Sequence, residues 1–338
     1  MKIVIPALAR RAPLLFVSAC LALGLSACSQ PGKSSGITGQ VVADGSSTVF
    51  PITEAVAEEF LLVENKIQVT VGIAGTGGGF SRFCNGETSV QDASRPISQK
   101  EIDLCAARGI EWIELPVAYD AMAIVVHPKN TWIDCITTAE LNKIWETAAQ
   151  GTINKWNQIR PEFPNENFSL YGAGTDSGTF DYFTEVINGK TGESRGDYTA
   201  SEDDNTLVQG VSAARYSLGY LGLAYYEQSI DKLKALKVDG GKGCVLPSAA
   251  AVEDGTYTPL SRPLLIYVRR DHADRPEVRA FIDFYLENAG FLAADVGYVK
   301  LQPDLYELVT ARWRTRTTGT IFHAGEHGIP LEQLLATD

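Results

Sequence analysis

The stretch Gly172 to Phe183 sets Thr175, Asp176, Ser177 and Thr179 among Gly172, Gly174 and Gly178, just ahead of an apolar repeat. Phe180, Phe183 and Ile187 recur at helical spacing and Asn188-Gly189 supplies a stop, which predicts an amphipathic helix of roughly 10 residues. The start of such a helix carries unsatisfied N–H groups and the positive end of the peptide dipole, and neighbouring hydroxyls add donors. That chemistry suits an oxyanion. The same residues also serve a plain structural end, with Thr175, Asp176 or Ser177 capping the helix. Repetition favours the first reading. Asp44-Gly45-Ser46-Ser47-Thr48-Val49-Phe50-Pro51 and Gly75-Thr76-Gly77-Gly78-Gly79-Phe80 are two more such polar starts, and Asp92-Ala93-Ser94-Arg95-Pro96-Ile97 adds an arginine able to grip an oxyanion with two N–H groups.

The elements that must hold these clusters alternate between strand and helix. Val41 and Val42 end a strand; Ile52, Val56, Phe60 and Val63 mark one face of a helix opened by Pro51; Ile67, Val69, Val71 and Ile73 alternate as in a half-buried strand. Ser98 with Glu101 and Thr137 with Glu140 read as capping boxes. A strand is expected over 110–127, broken by polar Tyr119-Asp120 before the run Ala121 to Val126, and an apolar run from Pro263 to Val268 supplies a return crossing. A helix is expected from Pro276 to Asn288, stopped at Gly290, and residues 312–338 read as Thr- and Gly-rich, then weakly helical. The pattern is α/β, two α/β domains joined by a two-strand hinge.

With 338 residues the chain is long enough for two domains with real cores. Lys2, Arg10 and Arg11 precede an apolar run from Ala12 to Ala27, the layout of an export signal over residues 1–27. Leu25-Ser26-Ala27-Cys28 resembles the lipobox of bacterial lipoproteins, so Cys28 is the expected lipidation site and residues 28–39 a tether. Losing the signal takes the formal charge from −12 to −15, which excludes a nucleic-acid partner dependent on a basic surface. Any anion must then be held by local dipoles and a few placed cations. Cys84, Cys105, Cys135 and Cys244 remain, an even set in an exported chain. Three pairings are open; Cys84 with Cys105 closes a short loop and Cys135 with Cys244 joins two segments of the middle region, and this pairing is preferred.

The four motifs, Gly45-Ser46-Ser47-Thr48-Val49-Phe50-Pro51, Gly75-Thr76-Gly77-Gly78-Gly79, Asp92-Ala93-Ser94-Arg95-Pro96 and Gly174-Thr175-Asp176-Ser177-Gly178-Thr179-Phe180, occur in the order found in the phosphate-binding lipoproteins of phosphate ABC importers, which the chain resembles over most of residues 40–320. The resemblance implies a type II periplasmic-binding-protein fold, no enzymatic activity and no cofactor. Domain I would take residues 40–118 and 264–320, domain II residues 119–263, and residues 321–338 a C-terminal tail. Phosphate ligands carried over by motif are Ser47, Thr48, Thr76, Ser94, Arg95, Ser177, Gly178 and Thr179. The expected partners are inorganic phosphate, an inner-membrane ABC permease, and the membrane through the lipid anchor, with the protein a monomer at the outer face. Some members carry a carboxylate where this chain has Ser94 and an arginine where it has Ala173; Arg95 and Asp176 could replace them. Bound phosphate keeps a proton that sulfate lacks, so an acceptor carboxylate would discriminate the two, and Asp176 is assigned that role with Asp44, Asp92 and Asp120 as the alternatives.

Other chemistries fit less well. Sulfate, molybdate or tungstate would suit the same helix starts. A serine hydrolase using Ser177 lacks the Gly-x-Ser-x-Gly elbow, because Gly178 follows Ser177 directly, and no base is assignable among His127, His272, His323 and His327. His323, Glu326 and His327 match a zinc-ligand spacing, but Gly325 and Gly328 oppose the helix that would align them, so no metal site is expected.

Overall fold

A computed structural model describes residues 36–175, 177–201, 203–322 and 331–336. Cys28, Asp176, His323, Glu326 and His327 lie outside them, as do the whole signal segment and most of the tether.

The first lobe starts with β1 (Gly39–Gly45), α1 (Phe50–Val63), β2 (Ile67–Val71), α2 (Gly75–Cys84), β3 (Val90–Ala93) and α3 (Gln99–Ala107). Strand β1 lies parallel between β2 and β3. Helix α1 buries Ile52, Val56 and Phe60 as its spacing predicts, while Val63 in its last turn is exposed. The glycine cluster does not precede α2 but forms its first turn, beginning at Gly75 itself. Gly79 has no room for a side chain there, since a Cβ would meet Gln91 and the Gly45 backbone. At α3, Glu101 accepts from both the N–H and the hydroxyl of Ser98, at 2.8 Å each.

Strand β4 (Trp112–Val126) crosses to the second lobe. The polar break expected at Tyr119-Asp120 does not occur: these two residues are buried within a single 15-residue strand. Neighbours on both sides supply the reason. Up to Ala121 β4 pairs with the returning strand, and from Met122 it pairs with a strand of the second lobe, so its polar residues sit in a paired ladder.

The second lobe continues with β5 (Cys135–Thr137), α4 (Thr138–Trp145), β6 (Ser169–Ala173), α5 (Gly178–Asn188), β7 (Thr199–Ser201), α6 (Asp204–Ala213), β8 (Ser217–Gly222) and α7 (Leu223–Glu227). After these come β9 (Lys234–Ala235), β10 (Lys237–Asp239), β11 (Cys244–Val245) and α8 (Ala249–Glu253). Thr137 caps α4 with Glu140 reaching back, as its spacing predicts. An aromatic core fills this lobe: Phe183 of α5 stacks on Tyr220 of β8 with ring centres 3.8 Å apart, and Trp145 meets both rings edge-on.

Strand β12 (Ser261–Arg269) returns to the first lobe between β3 and β4, antiparallel to both. The sheet runs β2-β1-β3-β12-β4-β8-β6-β7, and β9 adds to β4. Pro263 falls where β12 has only β4 as its neighbour, so its missing N–H disturbs no second ladder.

Helices α9 (Pro276–Asp295), α10 (Pro303–Thr315) and α11 (Leu331–Ala336) complete the chain. Gly290 does not stop α9, which continues to Asp295. A Cβ there would lie 2.9 Å from the Tyr306 ring, so this glycine lets α10 approach rather than ending a helix. The segment after α10 folds back onto buried Glu114, which accepts from the Thr320 hydroxyl and the Ile321 N–H. Both disulfides are present. Cys84–Cys105 ties α2 to α3, and Cys135–Cys244 ties β5 to β11, the two strands flanking β10.

Candidate functional site

Three of the four polar clusters converge. Ser46, Ser47 and Thr48 from the turn after β1, Gly75, Thr76 and Gly77 from the start of α2, and Ser94 and Arg95 from the end of β3 line one cleft of about 220 Å³. Parallel β1 and β3 bring their C-terminal ends side by side, and helices α1 and α2 begin at that same edge, so their N-termini share it. The hydroxyls are held in place. Thr76 Oγ1 lies 3.2 Å from Ser94 Oγ and accepts from the Ser94 N–H at 3.3 Å, and the Ser46 hydroxyl accepts from the Thr48 N–H at 3.2 Å.

The fourth cluster enters from the second lobe at the start of α5. Ser177 caps this helix, its hydroxyl accepting from the Thr179 N–H at 3.1 Å, and Gly189 closes it in the left-handed conformation. Gly178 packs directly on Thr48: a Cβ at 178 would stand 2.6 Å from Thr48 Oγ1. Thr48 and Gly178 are therefore adjacent, and Ser177 and Thr179 flank that contact half-buried. From the first turn of α5 Asp181, and one turn later Glu185, also reach the cleft, with Thr191 beyond the helix.

Charges in the cleft are paired unevenly. Arg95 makes a two-pronged pair with Glu101, at 2.9 and 2.8 Å, and sits 5.9 Å from the Phe80 ring centre. Burial pushes Glu101 up, but the bonds from Arg95 and Ser98 outweigh it and hold the carboxyl below its usual range. The second cation is Arg262 of β12. It bonds Asp120 of β4 and the Thr48 hydroxyl, and its guanidinium lies 3.7 Å over the Tyr182 ring. Burial raises the pKa of Asp120, with Arg262 pulling the other way; burial likewise raises Asp181.

Arg262, Asp181 and Glu185 were not among the expected site residues. A signal for Arg262 exists in the sequence, a cation placed directly before the apolar run Pro263 to Val268 of a crossing strand. Nothing there shows that it faces a serine turn more than 200 residues earlier. Of the alternative carboxylates, Asp120 reaches the cleft only through Arg262, while Asp44 pairs with Arg82 and Asp92 bonds Thr53. Among the described residues no histidine lines the cleft, and no group of acidic, histidine and cysteine side chains could hold a metal ion. No described helix is long and apolar enough to cross a membrane.

Residues 31–289 match the family model described as PBP superfamily domain. The chain belongs to the PBP superfamily. Within it, this member is 50% identical over 305 residues to Protein SphX of Synechocystis, covering 90% of each chain. It is 36% identical to the phosphate-binding protein PstS of Staphylococcus saprophyticus, over 84% of this chain and 88% of that one. A crystal structure described as a possible phosphate binding protein from Planctomyces limnophilus is 48% identical and superimposes with a TM-score of 0.79, over 82% of this PBP-superfamily chain and 99% of that one. The relatives thus agree with the expected two-lobed α/β fold and with the family that the four motifs resemble.

Proposed function

We propose that this protein captures inorganic phosphate between its lobes and delivers it to an ABC importer, acting outside the cytoplasm as a binding protein and not as an enzyme. The observation that carries the reading is the convergence of Ser47, Thr48, Thr76, Ser94 and Arg95, from three separate turns, on one cleft that the start of α5 abuts at Gly178. Helix starts and hydroxyls can replace the hydration shell of a tetrahedral oxyanion without a basic surface, which reconciles anion binding with an acidic chain. The relative described as phosphate-binding protein PstS and the crystal structure described as a possible phosphate binding protein support phosphate over other cargo. Ser177, Gly178 and Thr179 would complete the ligand set, with Asp176 taking the phosphate proton.

The lobes would divide at residues 118–121 and 260–264, with residues 40–118 and 264–320 in one and 119–263 in the other. Lipidation at Cys28 would keep a monomer beside its permease. Calorimetric titration of the purified, phosphate-stripped protein with phosphate, sulfate and molybdate tests the function. Phosphate should bind at least about 100-fold more tightly than sulfate, since a carboxylate facing an anion without a proton costs several kcal/mol. Binding of sulfate or molybdate with none of phosphate would sink the reading.

A further inference from the structure

We infer that Arg262, rather than Arg95, is the cation that takes the bound oxyanion, and that Asp120 is its positioning residue. The inference rests on the oxyanion-binding reading and assigns the charge within it.

Arg95 enters the cleft already neutralised. Both of its terminal nitrogens bond Glu101, and Nη1 also donates to the Pro96 carbonyl at 3.1 Å. Glu101 is fixed in turn by the Ser98 N–H and hydroxyl, so the pair is closed on itself. An anion at this pair would find both terminal nitrogens engaged, and drawing Arg95 away would strip a carboxylate of its partner.

Arg262 is arranged differently. Its side chain is only 13% exposed, and its Nε and Nη2 both lie 3.2 Å from one carboxylate oxygen of Asp120, at the strand position directly opposite. Its Nη2 donates to Thr48 Oγ1 at 3.1 Å, while Nη1 has Glu185 only at 4.0 Å. The guanidinium face rests on Tyr182 of α5, whose own hydroxyl is anchored on the Pro259 carbonyl at 2.6 Å. The Nε–Nη2 edge is thus fixed from behind by a buried carboxylate and one face by a ring, which leaves the edge made by Nη1 and the Thr48-facing side of Nη2 toward the cleft. Such an edge suits two-pronged bonding to an oxyanion. The same side chain touches Thr48 at the first-lobe turn, Asp120 at the crossing and Tyr182 in the second lobe, so an anion held there is read by both lobes and by the strands between them.

Phosphate titration of the full-length protein and the variants Arg262→Gln, Arg262→Lys, Arg95→Gln and Asp120→Asn tests this. Arg262→Gln should lose about 100-fold or more in affinity, as truncating one partner of a buried charge pair does. Arg262→Lys should lose roughly tenfold, keeping charge without the fork. Arg95→Gln should lose less than Arg262→Gln, and most of that loss should return when Glu101 is also made Gln, because it comes from the carboxylate left unpaired. Asp120→Asn should weaken binding in the wild-type background and add nothing once Arg262 is Gln, a coupling that a purely structural role would not produce. A folded Arg262→Gln protein that binds within threefold of wild type overturns the inference. Should that variant not fold, Arg262→Lys decides, and an affinity matching wild type overturns the two-pronged contact. If the wild type takes sulfate or molybdate instead of phosphate, the phosphate reading fails separately, and the same variants titrated with that anion decide Arg262.

Discussion

Asp92 shows how one side chain beside a binding edge carries a cost of its own. It is completely buried, with one oxygen accepting from the Thr53 hydroxyl at 3.0 Å and the other without a partner among the described residues. Burial pushes its pKa up, the Thr53 bond opposes, and nearby Asp44 adds to the rise, leaving it at about 8. The folded protein then holds a proton that the unfolded chain releases near pH 4. Its stabilising contribution is full below about pH 4 and is lost as pH rises to 8, at ~1.4 kcal/mol per pH unit for this one group. Asp92→Asn imitates the neutral form and removes the slope. Urea unfolding of wild type and variant at pH 5 and pH 8 should show the wild type losing stability relative to the variant at the higher pH. Parallel pH dependences in the two proteins would mean that Asp92 is ionised throughout.

Among the elements, α5 is built for close approach. Its core face is the predicted one, with Phe180, Phe183 and Ile187 buried, and its first residue, Gly178, faces Thr48 without room for a methyl group. Alanine is a better helix former than glycine, so Gly178→Ala should leave the helix and the unliganded melting temperature intact. The added Cβ would instead hold the start of α5 away from Thr48. Overpacking costs roughly 1–3 kcal/mol, so phosphate affinity should fall about 5- to 150-fold. Calorimetry and thermal melting together separate the outcomes: unchanged affinity would show that α5 need not touch the Thr48 turn, and a lowered melting temperature would show that the glycine serves the fold.

At the scale of the molecule, two antiparallel strands carry the chain between lobes, and the binding cation stands on one of them. Register between β4 and β12 slips at Leu264 and Leu265, opposite Ala118 and Pro116, ahead of the point between Ala121 and Met122 where β4 exchanges β12 for β8 as its partner. We propose that a bend there changes the lobe angle and leaves the core of each lobe intact. Small-angle scattering should show a smaller radius of gyration at saturating phosphate than in the stripped protein. An identical radius, with binding confirmed by calorimetry in the same sample, would remove hinge closure from the mechanism.

Sequence alone determined the local features. The caps at Ser98, Thr137 and Ser177 follow from side chains that bond backbone groups two or three residues away. The buried faces of α1 and α5 follow from helical period, and the clustering of hydroxyls at helix starts pointed to an oxyanion because helix ends are chemically alike wherever they occur. Only the tertiary structure decided how charge is distributed. Arg95 reads as the available cation until Glu101 folds back onto it, and Arg262 has no assigned role until β12 sets it opposite Asp120 and against Thr48. Likewise, Tyr119 and Asp120 read as a break because polarity was judged without the strands that bury them, and Gly290 read as a stop because Tyr306 was not yet beside it. Which charge is neutralised, and which glycine is a contact, depends on neighbours that sequence distance hides.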